Sequence, residues 1–263
     1  MDSIYAIELD RIDRIFSGFR MNGWENPVNP VDPVKKKSNR IHSSINFDAC
    51  RERLIMRIDL HIHTSPRSAC SYLDPLELIQ EARRLKLDGI CLTEHQVLWD
   101  IGDVEKLAKD GGVKIFRGNE FTTNQGDILV FGFYKDIKEL LMIQELREEV
   151  IAAGGFMIAA HPFRGFKTFG IGQLQMTVEQ ACRRKALEYV DALEIGNGKL
   201  STGENDMARK VAGRLDLPGT GGSDAHRVDE IGKWVTVFEK EIQNERELVQ
   251  ELHAGRFTAV EMS

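Results

Sequence analysis

The stretch Asp59-Leu60-His61-Ile62-His63-Thr64 places two histidines two positions apart in an apolar run. Side chains alternate across a β-strand with a period of two, so His61 and His63 project to the same face. The pair can simply end a strand, but histidine is rarely doubled in a hydrophobic strand without a ligand to hold. The spacing therefore favours a strand over residues 55–61, at whose end both histidines bind one metal ion from the same side.

A second pair of this kind occurs far downstream. Asp224 and His226 are again two positions apart, in Gly222-Ser223-Asp224-Ala225-His226, after an apolar and glycine-rich run over residues 217–222. Two such pairs would be unusual in a purely structural core. Their combination strengthens the prediction of a multinuclear metal centre.

Apolar runs alternate with helical patterns from Met56 onward. Strands are predicted over residues 55–61, 88–93, 113–119, 127–133, 156–160, 190–196, 217–222 and 234–238. Helices are predicted after Asp74-Pro75, a capping residue followed by proline, and over residues 136–153, 177–186, 203–214 and 244–254. Strands separated by helices imply parallel pairing, and this many repeats predict an α/β barrel.

The chemically suggestive residues share one position in this pattern. Each falls at or just past the C-terminal end of a predicted strand, which is the catalytic face of an α/β barrel. They are His61, His63, His95, Glu120, His161, Asp224 and His226. Residues scattered along the chain would then converge in space at one metal centre.

Length and composition limit the class of protein. The chain has 263 residues, 42% of them hydrophobic, which is enough for one substantial core. No run approaches the ~18 to 20 apolar residues of a membrane span, and the acidic N-terminus does not resemble a secretory signal. The four cysteines contain no C-x-x-C pair, which fits a cytoplasmic location. The net charge of -6 argues against a broad surface for duplex nucleic acid, but it leaves a nucleotide or a single-strand end open.

Residues 1–55 differ in character from the rest. Apolar residues between Ile4 and Phe19 approximate one helical face, and three prolines within residues 26–33 precede a run of lysines. Proline-rich sequence favours extended, solvated backbone. We therefore predict an N-terminal extension over residues 1–55, in part disordered, followed by one domain over residues 56–263.

Six short strings resemble the PHP (polymerase and histidinol phosphatase) family in their order and spacing. They are Asp59-Leu60-His61-Ile62-His63-Thr64, Thr93-Glu94-His95, Gly118-Asn119-Glu120, Ala160-His161-Pro162-Phe163-Arg164, Glu194-Ile195-Gly196-Asn197-Gly198 and Gly222-Ser223-Asp224-Ala225-His226. The resemblance covers about residues 56–260. It implies a distorted (β/α)7 TIM-like barrel and the hydrolysis of phosphoesters at a centre of two or three divalent metal ions.

The resemblance also implies a set of metal ligands. A first ion would be held by His61, His63, Glu120 and Asp224, with Glu120 bridging to a second ion that His161 joins. Many relatives add a histidine at the second ion, where this chain has Asp127. A carboxylate oxygen is a harder ligand than an imidazole nitrogen, so it favours manganese or magnesium at this position, with zinc and iron as further options.

A third ion would use His95 and His226 with an aspartate or histidine from the loop after the first strand. This chain offers Ser68 or Cys70 in that loop, so a dinuclear centre and a weakly occupied third position both stay open. Glu94 stands where the family commonly has aspartate, and it would either orient a ligand or face solvent.

The implied chemistry follows from charge. A phosphate ester repels hydroxide, so metal ions have to neutralise its oxygens and lower the pKa of a bound water. Glu120 is a candidate catalytic residue as the bridging ligand, and Arg164 as a planar phosphate binder. His226 would protonate the leaving group only if it does not bind metal. Weaker phosphate-binding candidates are Arg67, Lys199 and Arg227.

The expected activity is therefore that of a hydrolase acting on a phosphomonoester or phosphodiester of a small metabolite or nucleotide. One alternative is an exonuclease that trims nucleic-acid ends, as some PHP proteins do, against which the acidic net charge weighs. The other is a barrel with structural metals and a binding role, which the altered third position supports. The oligomeric state is not predicted.

Overall fold

The computed structural model describes residues 55–109, 112–137, 139, 141–165 and 176–262. Within them the strands are β1 (Met56–Ile62), β2 (Gly89–His95), β3 (Lys114–Thr123), β4 (Gly126–Phe131), β5 (Phe156–Ala159), β6 (Ala192–Asn197), β7 (Gly219–Gly222), β8 (Trp234–Phe238) and β9 (Phe257–Glu261). These nine strands form one sheet in the order β7-β6-β5-β4-β3-β2-β1-β8-β9. The predicted extension lies outside the described residues apart from Ile55, so its boundary stays a prediction.

The helices are α1 (Pro75–Arg84), α2 (Ile101–Ala108), α3 (Ile143–Ala153), α4 (Val178–Ala181), α5 (Thr202–Leu215) and α6 (Glu245–Ala254). Asp74 caps α1 by accepting from Leu76 N–H, with proline in the first turn as predicted. The helix predicted over residues 136–153 begins only at Ile143, because Leu141 is hydrogen-bonded to Asn124 in an extended conformation. None of the helices in the described ranges is long and apolar enough to cross a membrane.

The parallel pairing predicted for the strands holds in two blocks. β1, β2 and β3 run parallel, as do β5, β6 and β7. The prediction is wrong for β4 and β8, which pair antiparallel with their neighbours, and β9, for which no strand was predicted, also pairs antiparallel. Only Asn124 and Gln125 separate β3 from β4, and so short a turn joins antiparallel strands alone. The number of seven (β/α) repeats therefore stays a prediction.

The sheet curls into a nearly closed barrel in which the chain after β7 meets the end of β1. Asp224 N–H donates to His61 C=O at 2.8 Å, and His63 N–H donates to Ala225 C=O at 3.0 Å. These bonds fix the two predicted ligand pairs side by side across the closing edge.

Side chains complete the closure below these bonds. The buried Asp59 accepts from Ser223 N–H at 2.9 Å and from Gly232 N–H at 3.0 Å. The Thr236 hydroxyl accepts from Gly221 N–H and donates to Gly221 C=O, both at 2.9 Å. Because the strands themselves no longer form a continuous ladder here, these polar groups satisfy backbone atoms that would otherwise be buried and unpaired.

Apolar packing holds the helices against the outside of the sheet. Phe121 and Val130 cluster with residues of α3 and α5, among them Val150 and Val211. Each fully buried side chain of this kind contributes about 1.5–3 kcal/mol. Phe131, Phe133 and Trp234 are buried. The core thus supports the strand ends that carry the polar residues.

Candidate metal centre

His61, near the end of β1, and His63, directly after it, are buried with their rings facing the same space. The Nε2 atoms of His61 and His63 lie 3.0 Å apart, and neither side chain is exposed to solvent. Two imidazole nitrogens at this separation need a proton or a cation between them or beside them. The strand geometry predicted from the spacing of the pair is therefore present.

Glu120, on β3, supplies the carboxylate at the middle of the cluster. Its Oε1 lies 2.9 Å from Nε2 of His161. Its Oε2 lies 3.1 Å from Nε2 of His63 and 3.1 Å from Nδ1 of His95, yet it has no hydrogen bond of acceptable geometry. A buried carboxylate oxygen without a partner is costly, and several ring nitrogens around it form the donor set of a divalent cation. The residues present thus fit a metal ion.

Asp224 and His161 reach this centre from unusual backbone conformations. Their φ angles are 56° and 30°, in the left-handed region that residues other than glycine rarely adopt. Asp224 Oδ1 lies 3.6 Å from Nε2 of both His61 and His63. Such conformations cost about 1–3 kcal/mol each and concentrate at functional sites.

Glu194, in the middle of β6, orients the first histidine. Its Oε1 lies 3.0 Å from Nδ1 of His61, and its Oε2 accepts from His161 N–H at 2.7 Å and from the Asn197 amide at 2.9 Å. A carboxylate that accepts the Nδ1 proton leaves the Nε2 lone pair free for metal. Sequence reasoning quoted this residue in a family string but assigned it no role. The available signal was a carboxylate inside a predicted apolar strand, at residues 190–196.

Glu94 faces the protein interior, which decides between the two alternatives left for it. It accepts hydrogen bonds from Thr64 N–H, from the Trp99 indole at 2.9 Å and from the Ser68 hydroxyl. The same Ser68 oxygen lies 3.3 Å from Nδ1 of His63. Glu94 therefore orients His63 through Ser68 and does not face solvent.

His95 and His226 form a further group with His63. The ring centres of His95 and His226 lie 4.3 and 4.5 Å from that of His63, and one nitrogen from each ring lies within 4.8 Å of the others. Nδ1 of His226 lies 2.9 Å from Asp224 C=O, which directs Nε2 outward to Cys70 Sγ at 3.2 Å. Cys70 thus lies beside His226, whereas Ser68 lies beside His63 and donates to Glu94.

Asp127 lies on the other side of Glu120. It belongs to a group with Glu120 and His161 in which the ligand atoms lie within 4.8 Å of one another. Asp127 Oδ2 is 4.0 Å from Nε2 of His161. The residue that stands at the expected histidine position is thus close enough to share an ion with its two neighbours.

Two family comparisons cover most of the described chain. The PHP domain family matches residues 59–194, and a family described as PHP-associated matches residues 202–257. The chain belongs to the PHP domain family. The resemblance drawn from the six strings is confirmed.

Relatives of this PHP chain are distant. An uncharacterized protein from Methanocaldococcus jannaschii is 27% identical over 117 residues, which cover 41% of this chain and 68% of that protein. Three solved structures share the fold at lower identity. PsfC from Pseudomonas syringae PB-5123 is 18% identical, with 80% of this chain and 93% of that chain covered and a TM-score of 0.58.

The two other structures are similar at a TM-score of 0.53. A protein from Bifidobacterium adolescentis, described as a metal-dependent phosphoesterase, is 16% identical over 75% of this chain and 96% of its own. A lesion-specific endonuclease from Pyrococcus furiosus is 19% identical over 78% of this chain and 58% of its own. At these identities the likeness shows that the PHP barrel is shared.

Arg164 lies at the mouth of the PHP centre, with its side chain 45% exposed. Its guanidinium donates to Oδ2 of Asp224. The arginine predicted to bind phosphate is therefore within reach of the candidate metal ligands. Half of it remains open to a ligand from solvent.

The weaker phosphate-binding candidates are each engaged with an acidic residue. Arg67 pairs with Asp103 at 3.2 Å and lies over the Trp99 ring, while Lys199 pairs with Glu230 at 2.7 Å. Arg227 pairs with Asp229 at 3.3 Å. Of these four side chains, Arg164 alone forms an ion pair with a residue of the metal centre within the part of the chain that the structure describes.

The carboxylates of the PHP centre change the acid–base behaviour of its histidines. Burial lowers the pKa of His61, but the charges of Glu194, Asp224 and Glu120 outweigh burial and hold that pKa well above its ordinary value. Burial raises the pKa of Glu120, but the interactions with His61 and His161 outweigh it and hold that pKa well below its ordinary value. A cation that binds here has to displace the His61 proton, so metal affinity depends on pH.

Proposed function

We propose that this protein is a metal-dependent phosphoesterase that hydrolyses a phosphoester of a small metabolite or nucleotide. The observation that carries the proposal is the buried Glu120 Oε2, which has no hydrogen bond and is surrounded by imidazole nitrogens. Such a donor set is suited to divalent metal ions rather than to a proton network. Membership of the PHP family supports the reaction class.

In this proposal His61, His63, Glu120 and Asp224 hold one ion, and Glu120, Asp127 and His161 hold another. Divalent ions, when bound, neutralise phosphoryl oxygens and lower the pKa of a bound water. The protein residues supply the rest. Glu194 keeps the proton of His61 on Nδ1, and Glu94 does the same for His63 through Ser68.

Arg164 binds the phosphate in this scheme. The planar fork of arginine matches two phosphoryl oxygens, and the exposed half of the side chain faces the mouth. Asp224 holds the guanidinium in place before substrate arrives. His226 is assigned to metal binding, since one of its ring nitrogens lies within 4.8 Å of ring nitrogens of His63 and His95.

A panel of phosphomonoesters and phosphodiesters tests the proposal. The metal-free protein is loaded with manganese, magnesium, zinc or iron, and released phosphate or nucleotide is measured. His61→Ala and Asp224→Ala should each abolish turnover, and the control His253→Ala, on α6, should not. If wild type and both variants release no product from any ester, the proposal is wrong.

End-labelled single-stranded RNA and DNA extend the same panel. Stepwise shortening that His61→Ala abolishes would make the protein an exonuclease, whereas monoester hydrolysis without shortening supports the small-substrate proposal. A purely structural role for the ions would require a protein that binds metal tightly yet turns over no ester with any metal.

A further inference from the structure

Tyr72, in the loop between β1 and α1, is the most exposed large apolar side chain in the part of the chain that the structure describes, at 84%. Its backbone is nevertheless held in place. Tyr72 N–H donates to His226 C=O at 3.0 Å, the Ser71 hydroxyl donates to His63 C=O at 2.8 Å, and the next side chain, Leu73, is fully buried. The aromatic ring thus extends into solvent from a backbone that is fixed against two candidate metal ligands.

The Tyr72 ring lines a cavity of about 880 Å³. The other walls come from the last turn of α1, with Arg84, and from the chain after β7, with Arg227. Sites for small ligands usually measure about 300–1,000 Å³. Arg227 directly follows His226, and consecutive Cα atoms are about 3.8 Å apart. The cavity therefore begins beside the metal centre, within reach of a group that is attached to a phosphate held there.

The charged residues of this cavity largely neutralise one another. Arg84 forms an ion pair with Glu81 at 2.6 Å, and Arg227 forms one with Asp229 at 3.3 Å. The pKa of Asp229 is lowered mainly by its hydrogen bond with Arg227, and the charge of Lys233 adds to this effect. Three cations and two carboxylates leave little net charge in the lining. The cavity therefore favours an uncharged group over a second phosphate.

The rest of the lining is apolar and complements the face of the tyrosine ring. It consists of Leu85, Val228, Ile231 and Met262, next to the backbone of Gly232. Aromatic rings stack on other flat rings, and the polar edge of a stacked ring needs hydrogen-bonding partners. The charged side chains at the rim supply such partners. A planar, uncharged ring with polar atoms at its edge fits both parts of this lining, and a nucleobase is such a ring.

We propose that Tyr72 determines substrate specificity by stacking on a nucleobase of the phosphoester, while the metal centre holds the phosphate of the same molecule. The substrate is then a nucleotide rather than a phosphorylated sugar or another small metabolite. This inference rests on the proposed function, because the metal centre has to hold the phosphoester.

Hydrolysis of two matched esters tests this specificity. Adenosine 5′-monophosphate and ribose 5-phosphate share the phosphate and the sugar and differ in the base. For manganese-loaded wild type, kcat/KM should be higher for the adenosine ester by about 5–150-fold, the range typical of base stacking on an aromatic side chain. Tyr72→Ala should remove this preference, and Tyr72→Phe should keep it. Equal kcat/KM for both esters in wild type, or an unchanged preference in Tyr72→Ala, would overturn the proposal.

Tyr134→Ala is the matched control. Tyr134 is also exposed, but its ring contacts Arg117 and does not line this cavity. The variant should therefore keep the preference for the adenosine ester. A loss of the preference in Tyr134→Ala as large as that in Tyr72→Ala would show a general effect of removing a surface ring, and it would also overturn the proposal.

Calorimetric titration with phosphonates measures base binding without turnover. The 5′-phosphonate analogues of adenosine and of ribose contain a carbon–phosphorus bond that ester hydrolysis does not break. The adenosine analogue should bind manganese-loaded wild type more tightly than the ribose analogue, and Tyr72→Ala should bind the two equally. No binding of the adenosine analogue, or equal affinities in wild type, would contradict a base site at Tyr72.

The two proposals fail in different ways. A protein that binds the adenosine phosphonate through Tyr72 but hydrolyses no ester would refute the proposed function and leave the base site intact. An esterase that hydrolyses both esters with equal kcat/KM would refute the role of Tyr72 alone. Because the Tyr72 side chain is exposed, its replacement leaves the core unchanged. Far-ultraviolet circular dichroism checks this for each variant.

Discussion

Replacing Glu194 with glutamine should weaken metal binding although Glu194 itself is not among the proposed ligands. The carboxylate presents Oε1 to Nδ1 of His61, and Oε2 to both His161 N–H and the Asn197 amide. Glutamine has the same shape but only one oxygen. Either the His61 ring, or the His161 N–H together with the Asn197 amide, must therefore face an amide N–H in place of an acceptor oxygen.

The glutamine amide can point its nitrogen to either side, and the orientation of lower free energy determines the result. If the new amide nitrogen faced His161 and Asn197, two buried donors would lose their acceptor, at about 1–3 kcal/mol each. If it faces His61, the imidazole avoids the clash by moving its proton from Nδ1 to Nε2. The proton then lies on the nitrogen that has to bind metal, so we expect affinity to fall about 10–100-fold.

Calorimetric titration of metal-free Glu194→Gln with manganese and zinc measures this loss. Urea unfolding of the metal-free protein separates it from a general loss of stability. Glu188→Gln is the matched control, because Glu188 is exposed and close in sequence, and it should bind like wild type. Wild-type metal affinity in Glu194→Gln, together with an unchanged free energy of unfolding, would refute the argument that Glu194 sets the tautomer of His61.

Three further predictions concern packing, pH and substrate binding. Gly196→Ala should lower the free energy of unfolding, measured by urea titration, by about 1–3 kcal/mol or more, because a Cβ there would overlap the Trp234 ring. Gly213 is exposed in α5 with open space around it, so Gly213→Ala should instead raise the free energy of unfolding by about 0.5–1 kcal/mol in the same titration. The pKa of His61 is raised in the folded, metal-free protein, so the protonated ring stabilises that protein below the ordinary pKa of 6.5. This stabilisation is lost as the pH rises through the pKa of His61 in the folded state. Metal affinity should rise over the same pH range, and His61→Ala should flatten the stability profile if the assignment is right. Arg164→Ala should reduce kcat/KM about 10–100-fold, because it removes a charge-assisted hydrogen bond to phosphate of about 1.5–3 kcal/mol. The circular dichroism spectrum should stay unchanged. An undiminished kcat/KM would exclude Arg164 from phosphate binding.

The sequence predicts most of the strands because their cores are short apolar runs with a clear period. The positions of His61 and Asp224 at strand ends follow from that pattern. The strand end predicted before Glu120 is wrong, because β3 continues to Thr123 through its pairing with β4, but the structure still brings the three residues together. β9 was missed because its residues are largely half-buried or exposed and it lacks a strong apolar alternation. α2 was missed because it is short and has Gly102 in its first turn.

The supporting residues were harder to find than the candidate ligands. Glu94 and Glu194 are buried among donors that come from other elements, namely Trp99 and Thr64 for Glu94 and His161 for Glu194. A single sequence does not show which distant donors surround a carboxylate. Likewise, only the folded loop shows that Ser68 is engaged with Glu94 while Cys70 faces His226.

The closure of the barrel between β1 and the chain after β7 determines when the centre can form. Asp59 and Ser223, which are bonded across this closure, are 164 positions apart in the sequence. Contacts of such long range form late, because the intervening chain must be ordered first. A chain that ends before β7 would lack Asp224 and His226 and would hold only part of the donor set. If the centre binds metal as proposed, metal retention would therefore report that the last strands have been joined to the first, and it would serve as a test of complete folding.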